Sequence, residues 1–221
     1  MAPLARSAPG LAVNTVADYI KNGIRTGKFA AAQRLVASEL AADLQVSLGV
    51  VREALCLLDG AGLIELLPNR GAQIRPLSRD DVRQIFELRE ALEGQAAVLA
   101  ARNLRGVKPR KLLTGAFKKA DKAAATGDVV GYRATNAAFH QAILALANNP
   151  RLVEVASELT VPIYQLQLSM LLNDRELKTA AAGHRRIVDA ILAGDEGRAR
   201  AEMQDHVRIS GDVMMRLVEE P

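Results

Sequence analysis

The feature that most limits the fold is an order of patterns. Two short helical patterns, at about Ala37–Leu44 and Ser47–Asp59, run into two short apolar segments, Leu63–Leu67 and Ala72–Arg75. Between the segments lies Pro68-Asn69-Arg70-Gly71, turn chemistry with a glycine where a positive φ is expected. Ahead of them, Val13, Val16, Ala17, Ile20 and Ile24 line one face of a helix over about Leu11–Thr26, stopped by Gly27. From Ser78 onward there is almost no strand signal. The order helix, helix-turn-helix, hairpin, then helices alone predicts a mainly α chain. Composition agrees: aromatics make up 3% and Trp is absent, which favours helices packed through small and aliphatic side chains over sheets.

The expected organisation is a disordered leader over 1–10, a winged helix-turn-helix over 11–76 and an all-helical, six-helix antiparallel bundle over 77–221. Its helices are expected at about 79–102, 108–126, 128–147, 150–172, 174–193 and 195–218. Gly106/Pro109, Gly127, Asn148-Asn149-Pro150, Asn173 and Gly194 punctuate them. The net charge of +4 is shared equally by the parts before and after residue 76, so a DNA reading needs local pattern rather than bulk charge. The single cysteine, Cys56, rules out an intrachain disulfide. With no signal peptide and no membrane-length apolar run, a cytoplasmic protein is expected.

Within Ser47–Leu58, Val51, Ala54, Leu55 and Leu58 form a core-facing stripe. The other face begins with Ser47, Leu48, Gly49 and Arg52. A recognition helix offers its N-terminal residues to base edges in the major groove. Arg52 lies one turn in, where a guanidinium can fork onto guanine or phosphate. Ser47 can cap the helix and donate to a phosphate, and Gly49 allows close backbone approach. Arg70 and Gly71 at the hairpin tip suit a wing along the minor groove.

All three histidines, His140, His184 and His206, fall on helix faces that carry apolar residues. Each alone reads as an ordinary core or surface histidine. Three on inward faces read together as a first shell for a divalent ion such as Zn, Ni or Mn. Asn136, one turn before His140, can add an oxygen ligand. Arg89 falls on the apolar stripe Val82, Ile85, Phe86, Leu92, Ala96, Leu99 and should point inward, where it needs an anion. Glu93 at i+4 is one such partner. The carboxylate of an effector, with Arg133 facing the same cavity, is the other.

Residues 10–76 resemble the winged helix-turn-helix of the bacterial GntR regulators, through Ser38-Glu39-Leu40-Ala41, Val46-Ser47, Val51-Arg52-Glu53-Ala54-Leu55, Leu58, Gly62-Leu63 and Arg70-Gly71. The resemblance implies DNA contacts at positions 38, 48 and 52. Here these are Ser38, Leu48 and Arg52. Leu48 replaces a usual arginine and Val50 a usual proline. Residues 78–218 resemble the FCD ligand-binding domain of the FadR subfamily, through "NAAFHQAILALANNPRL", "HRRIVDAILAGD" and "AEMQDHV". That likeness implies a metal on Asn136, His140, His184 and His206, with Asn136 where an aspartate is common. Gly183 stands where relatives often carry a larger polar residue. The implied protein is a homodimeric repressor reading a palindromic operator and released by a small carboxylate metabolite. Two readings compete with it: a metal-dependent hydrolase fused to a helix-turn-helix, with Glu93 as base, and a bundle whose histidines are structural.

Overall fold

Helix α1 spans Pro9–Thr26 and buries Val13, Val16, Ala17, Ile20 and Ile24, the stripe expected from their spacing. In this computed structural model, residues 9–67, 71–165 and 173–218 are described, and the chain forms two compact units that part at Leu77/Ser78. After α1 come β1 (Arg34–Leu35), α2 (Ala37–Leu44), α3 (Leu48–Gly60), β2 (Ile64–Leu67) and β3 (Gly71–Ile74). Gln45, left-handed at φ 54°, ends α2, and Ser47 caps α3.

The strands make an antiparallel sheet in the order β1-β3-β2, with Ile64 opposite Ile74 and Leu67 opposite Gly71. The sequence pattern anticipates β2 and β3 but not β1, whose two residues are too few to show any alternation. The expected turn, with Arg70, lies outside the described residues. Leu35, Leu63, Ile64, Ala72 and Ile74 join the three helices in one apolar core.

The second unit holds α4 (Arg79–Asn103), α5 (Val107–Ala125), α6 (Val129–Leu146), α7 (Pro150–Gln165) as far as Thr160, α8 (Asp174–Ala193) and α9 (Glu196–Leu217). The starts follow the expected chemistry. Ser78 and Asp81 form a capping box on α4, and Asn173 and Glu176 form another on α8. Gly127 and Gly194 close α5 and α8 at φ 66° and 72°. The expected helix over 150–172 is described as far as Gln165.

One expected face is rotated. Leu92 and Leu99 are only partly buried, whereas α4 buries Val82, Phe86, Glu93, Gly94, Ala96, Ala97, Ala100 and Ala101. The reason is close packing against α9. A Cβ on Gly94 would lie 2.9 Å from the Gln204 side chain, and one on Gly211 would lie 3.0 Å from Phe86. Small residues therefore define the contact face more strongly than the large aliphatics do. Among the described residues, no helix is long and apolar enough to cross a membrane.

Candidate functional site

Two sets of residues stand out, one in each unit. In the first, α3 presents an exposed N-terminus. Ser47 Oγ accepts from the Val50 N–H at 3.3 Å. Proline at 50 could not supply that donor, so valine there completes the cap. Leu48 is 39% exposed. Arg52 is exposed one turn later and has no ion-pair partner among the described residues. A Cβ on Gly49 would meet nothing closer than Ser47 Oγ at 3.8 Å, so packing within the chain does not demand glycine there. Ser38 is exposed at the start of α2. Gly71 differs: its φ of 85° and the Leu35 carbonyl, 3.2 Å from where a Cβ would sit, account for it structurally.

In the second unit, α6 carries His140, α8 carries His184 and α9 carries His206. Their ring centroids lie 4.6–5.6 Å apart. One nitrogen from each falls within 4.8 Å of the others. Convergence across three helices, which spacing alone left open, is thus present. His140, His184, His206 and Glu93 are the buried polar or charged residues among those described, and all four meet here. His184 is fully buried against Phe139, 4.3 Å between centroids, and stacks on Tyr132 at 6.2 Å.

Burial keeps the His184 and His206 rings neutral. Burial above all, then the neighbouring imidazoles, holds His184 well below the usual histidine range. Burial, followed by His140, pushes His206 down to about 3. Burial alone would raise Glu93, but Arg89 and His140 outweigh it and hold the carboxyl well below the usual carboxylate range. Glu93 Oε1 accepts from Arg89 Nε at 2.6 Å, and Glu93 Oε2 lies 2.5 Å from His140 Nδ1.

This donor set fits a divalent first-row ion. Both nitrogens of His184 are buried without a hydrogen-bond partner among the described residues, at a cost of about 1–3 kcal/mol each unless something else engages them. Neutral imidazoles are the ligands such ions prefer. Asn136 is half-buried one turn before His140, and its side chain has no hydrogen-bond partner among the described residues. Arg89 is less free than a carboxylate clamp would be. Glu93 occupies its Nε, and Phe86 lies under the guanidinium at 4.8 Å, so the helix ion pair foreseen as the simpler partner is present. The two terminal nitrogens carry no hydrogen bond among the described residues. Arg133 is half-buried on α6.

Glu93 does more than pair with Arg89 or stand as a candidate base, the two roles expected of it, because it also meets His140. Its signal was spacing: it follows Phe86 by seven residues and Arg89 by four, on the buried face. Gly183 has no local reason to be glycine. A Cβ there would lie 2.7 Å from His206 Nδ1, so glycine lets α9 bring that ring into the cluster. Tyr132, whose buried hydroxyl lacks a partner, had no sequence signal at all.

A winged helix-turn-helix followed in the chain by a helical unit is the layout of a DNA-binding regulator with a second domain. The family models agree. Residues 12–74 match "Bacterial regulatory proteins, gntR family", and residues 84–209 match "FCD domain". A relative in Paenarthrobacter nicotinovorans, named "Probable D-xylose utilization operon transcriptional repressor", is 33% identical over 192 residues, covering 87% of this chain and 84% of the relative. The Bacillus subtilis regulator LutR is 30% identical over 82% of this chain and 90% of its own. Among solved structures, Escherichia coli McbR/YncC superposes with a TM-score of 0.78 at 23% identity, covering 93% of this chain and 97% of that one. The chain belongs to the GntR family and carries an FCD domain; it is a DNA-binding transcription regulator. The hydrolase reading falls with this membership, and both oxygens of Glu93, its supposed base, are already engaged.

Proposed function

We propose that the chain is a cytoplasmic, homodimeric repressor released by a small carboxylate bound beside a divalent ion. The observation that carries this reading is the meeting of the four buried polar residues, with His184 unpartnered. His140, His184 and His206 would hold the ion, with Asn136 as a neutral oxygen ligand. When bound, the ion supplies a Lewis-acid anchor for oxygen atoms of an effector.

Charge argues for an acid. Arg89 balances Glu93, and Asn136 and the imidazoles bring no negative charge, so a bound divalent ion adds two positive charges to a buried site. Burial of that charge is costly until an anion joins it. The terminal nitrogens of Arg89, and Arg133, would orient that anion. Repression is supported by the name of the Paenarthrobacter relative.

The test is a thermal-shift series on chelator-treated protein with Zn²⁺, Ni²⁺ and Mn²⁺, each alone and then with organic acids or D-xylose. A ligand that binds only the native state raises the melting temperature. A metal-dependent shift by an acid is expected. A shift by D-xylose alone, or none with any metal, overturns the reading.

For the DNA half, Ser38, Ser47, Leu48, Gly49 and Arg52 would face the operator, with the wing at Arg70 and Gly71 alongside. A two-fold dimer reads a palindrome. Leu48 can pack on a thymine methyl but carries no charge. Leu48→Arg is therefore expected to strengthen non-specific DNA binding and steepen its salt slope by about one unit, seen in anisotropy titrations at several salt concentrations. An unchanged slope would place residue 48 away from the phosphates.

A further inference from the structure

We propose that Glu93 is the positioning residue of the histidine cluster, fixing the His140 ring through Nδ1 and setting a buried carboxylate directly behind a ligand set that has none. This rests on the metal reading above. Glu93 is the buried carboxylate among the described residues. Its two oxygens serve two partners, Arg89 Nε at 2.6 Å and His140 Nδ1 at 2.5 Å. The acceptor at Nδ1 assigns the ring proton to that side. Nε2 is then the nitrogen whose lone pair is free for an ion. A carboxylate hydrogen-bonded behind a metal-ligating imidazole orients the ring and strengthens its donor nitrogen.

The charge argument is specific to this chain. Asn136 and three imidazoles bring no negative charge to a divalent ion. Other acids near α9 are spoken for: Glu202 and Asp205 pair with Arg186, and neither is buried as Glu93 is. Glu93 alone stands against the cluster as a buried anion among the described residues. Arg89 holds the carboxylate oxygen that His140 does not, so Arg89 acts on the metal ligands through Glu93.

The experiment is titration of the chelator-treated full chain with Co²⁺ at one pH, followed by visible absorption. The variants are E93Q, which keeps shape and an acceptor but loses the charge, and E93D, which keeps the charge but shortens the reach. E93Q is expected to bind Co²⁺ about tenfold more weakly, within the roughly 10–100-fold loss seen when such outer partners are removed, and with shifted bands. E93D should fall between E93Q and the wild type. Circular dichroism shows whether each variant folds, and if E93Q does not, E93D carries the comparison. Wild-type protein that binds no Co²⁺ overturns the metal reading itself. Wild-type binding with unchanged affinity and bands in the folded variants overturns the role of Glu93 alone.

Discussion

Replacing His184 by leucine is expected to stabilise the metal-free protein by about 1 kcal/mol while abolishing its stabilisation by divalent ions. The two effects have opposite signs because the same atoms cause both. In the metal-free chain the His184 ring is fully buried and neither nitrogen has a partner. Leaving both nitrogens unsatisfied costs about 1–3 kcal/mol each, and leucine removes that cost at comparable volume. Lost ring contacts with Phe139 and Tyr132 offset about 0.5–1.5 kcal/mol each, which leaves a gain of about 1 kcal/mol at the low end. With an ion present, the wild type gains a ligand that the variant lacks. Denaturant unfolding of both proteins, with chelator and then with Ni²⁺, reads the two signs directly. A strongly destabilised metal-free variant would mean that His184 has a partner in the absence of metal. A full Ni²⁺ response in the variant would remove His184 from the ligand set.

Arg52→Ala is expected to weaken specific DNA binding by roughly 10–100-fold, the weight of one bidentate base contact, with no loss of fold. Arg52 is exposed on α3, and the residues that hold this helix in the core are Val51, Ala54, Leu55 and Leu58 on its other face. Truncation therefore leaves packing intact. Anisotropy with a genomic fragment selected by the wild type, beside a scrambled duplex, separates specific from general binding. Equal loss on both duplexes would make Arg52 a phosphate contact. No loss on either would move the recognition surface elsewhere.

Much of this was legible along the chain because its causes are local. Caps and stops such as Ser47, Ser78, Asn173 and Gly194 act within one helical turn of where they sit, so they marked boundaries to within a residue or so. The α1 and α3 stripes were legible for the same reason: a helix with one wet face repeats its apolar residues every three or four positions. Strand β1 was not, because a two-residue strand exists only through its pairing with β3. The buried face of α4 was misjudged because that helix packs against several others, and close approach to α9 selects glycine and alanine over leucine there.

The sequence by itself determined the helices, the recognition-helix chemistry and the inward bias of three histidines. Those follow from periodicity and from what each side chain can do within its own turn. Only the tertiary structure decided that His140, His184 and His206 share one point, that Glu93 joins them to Arg89, and that Gly183 makes room for His206. These contacts bring together residues tens of positions apart. They are set by how α4, α6, α8 and α9 pack, which no local pattern encodes.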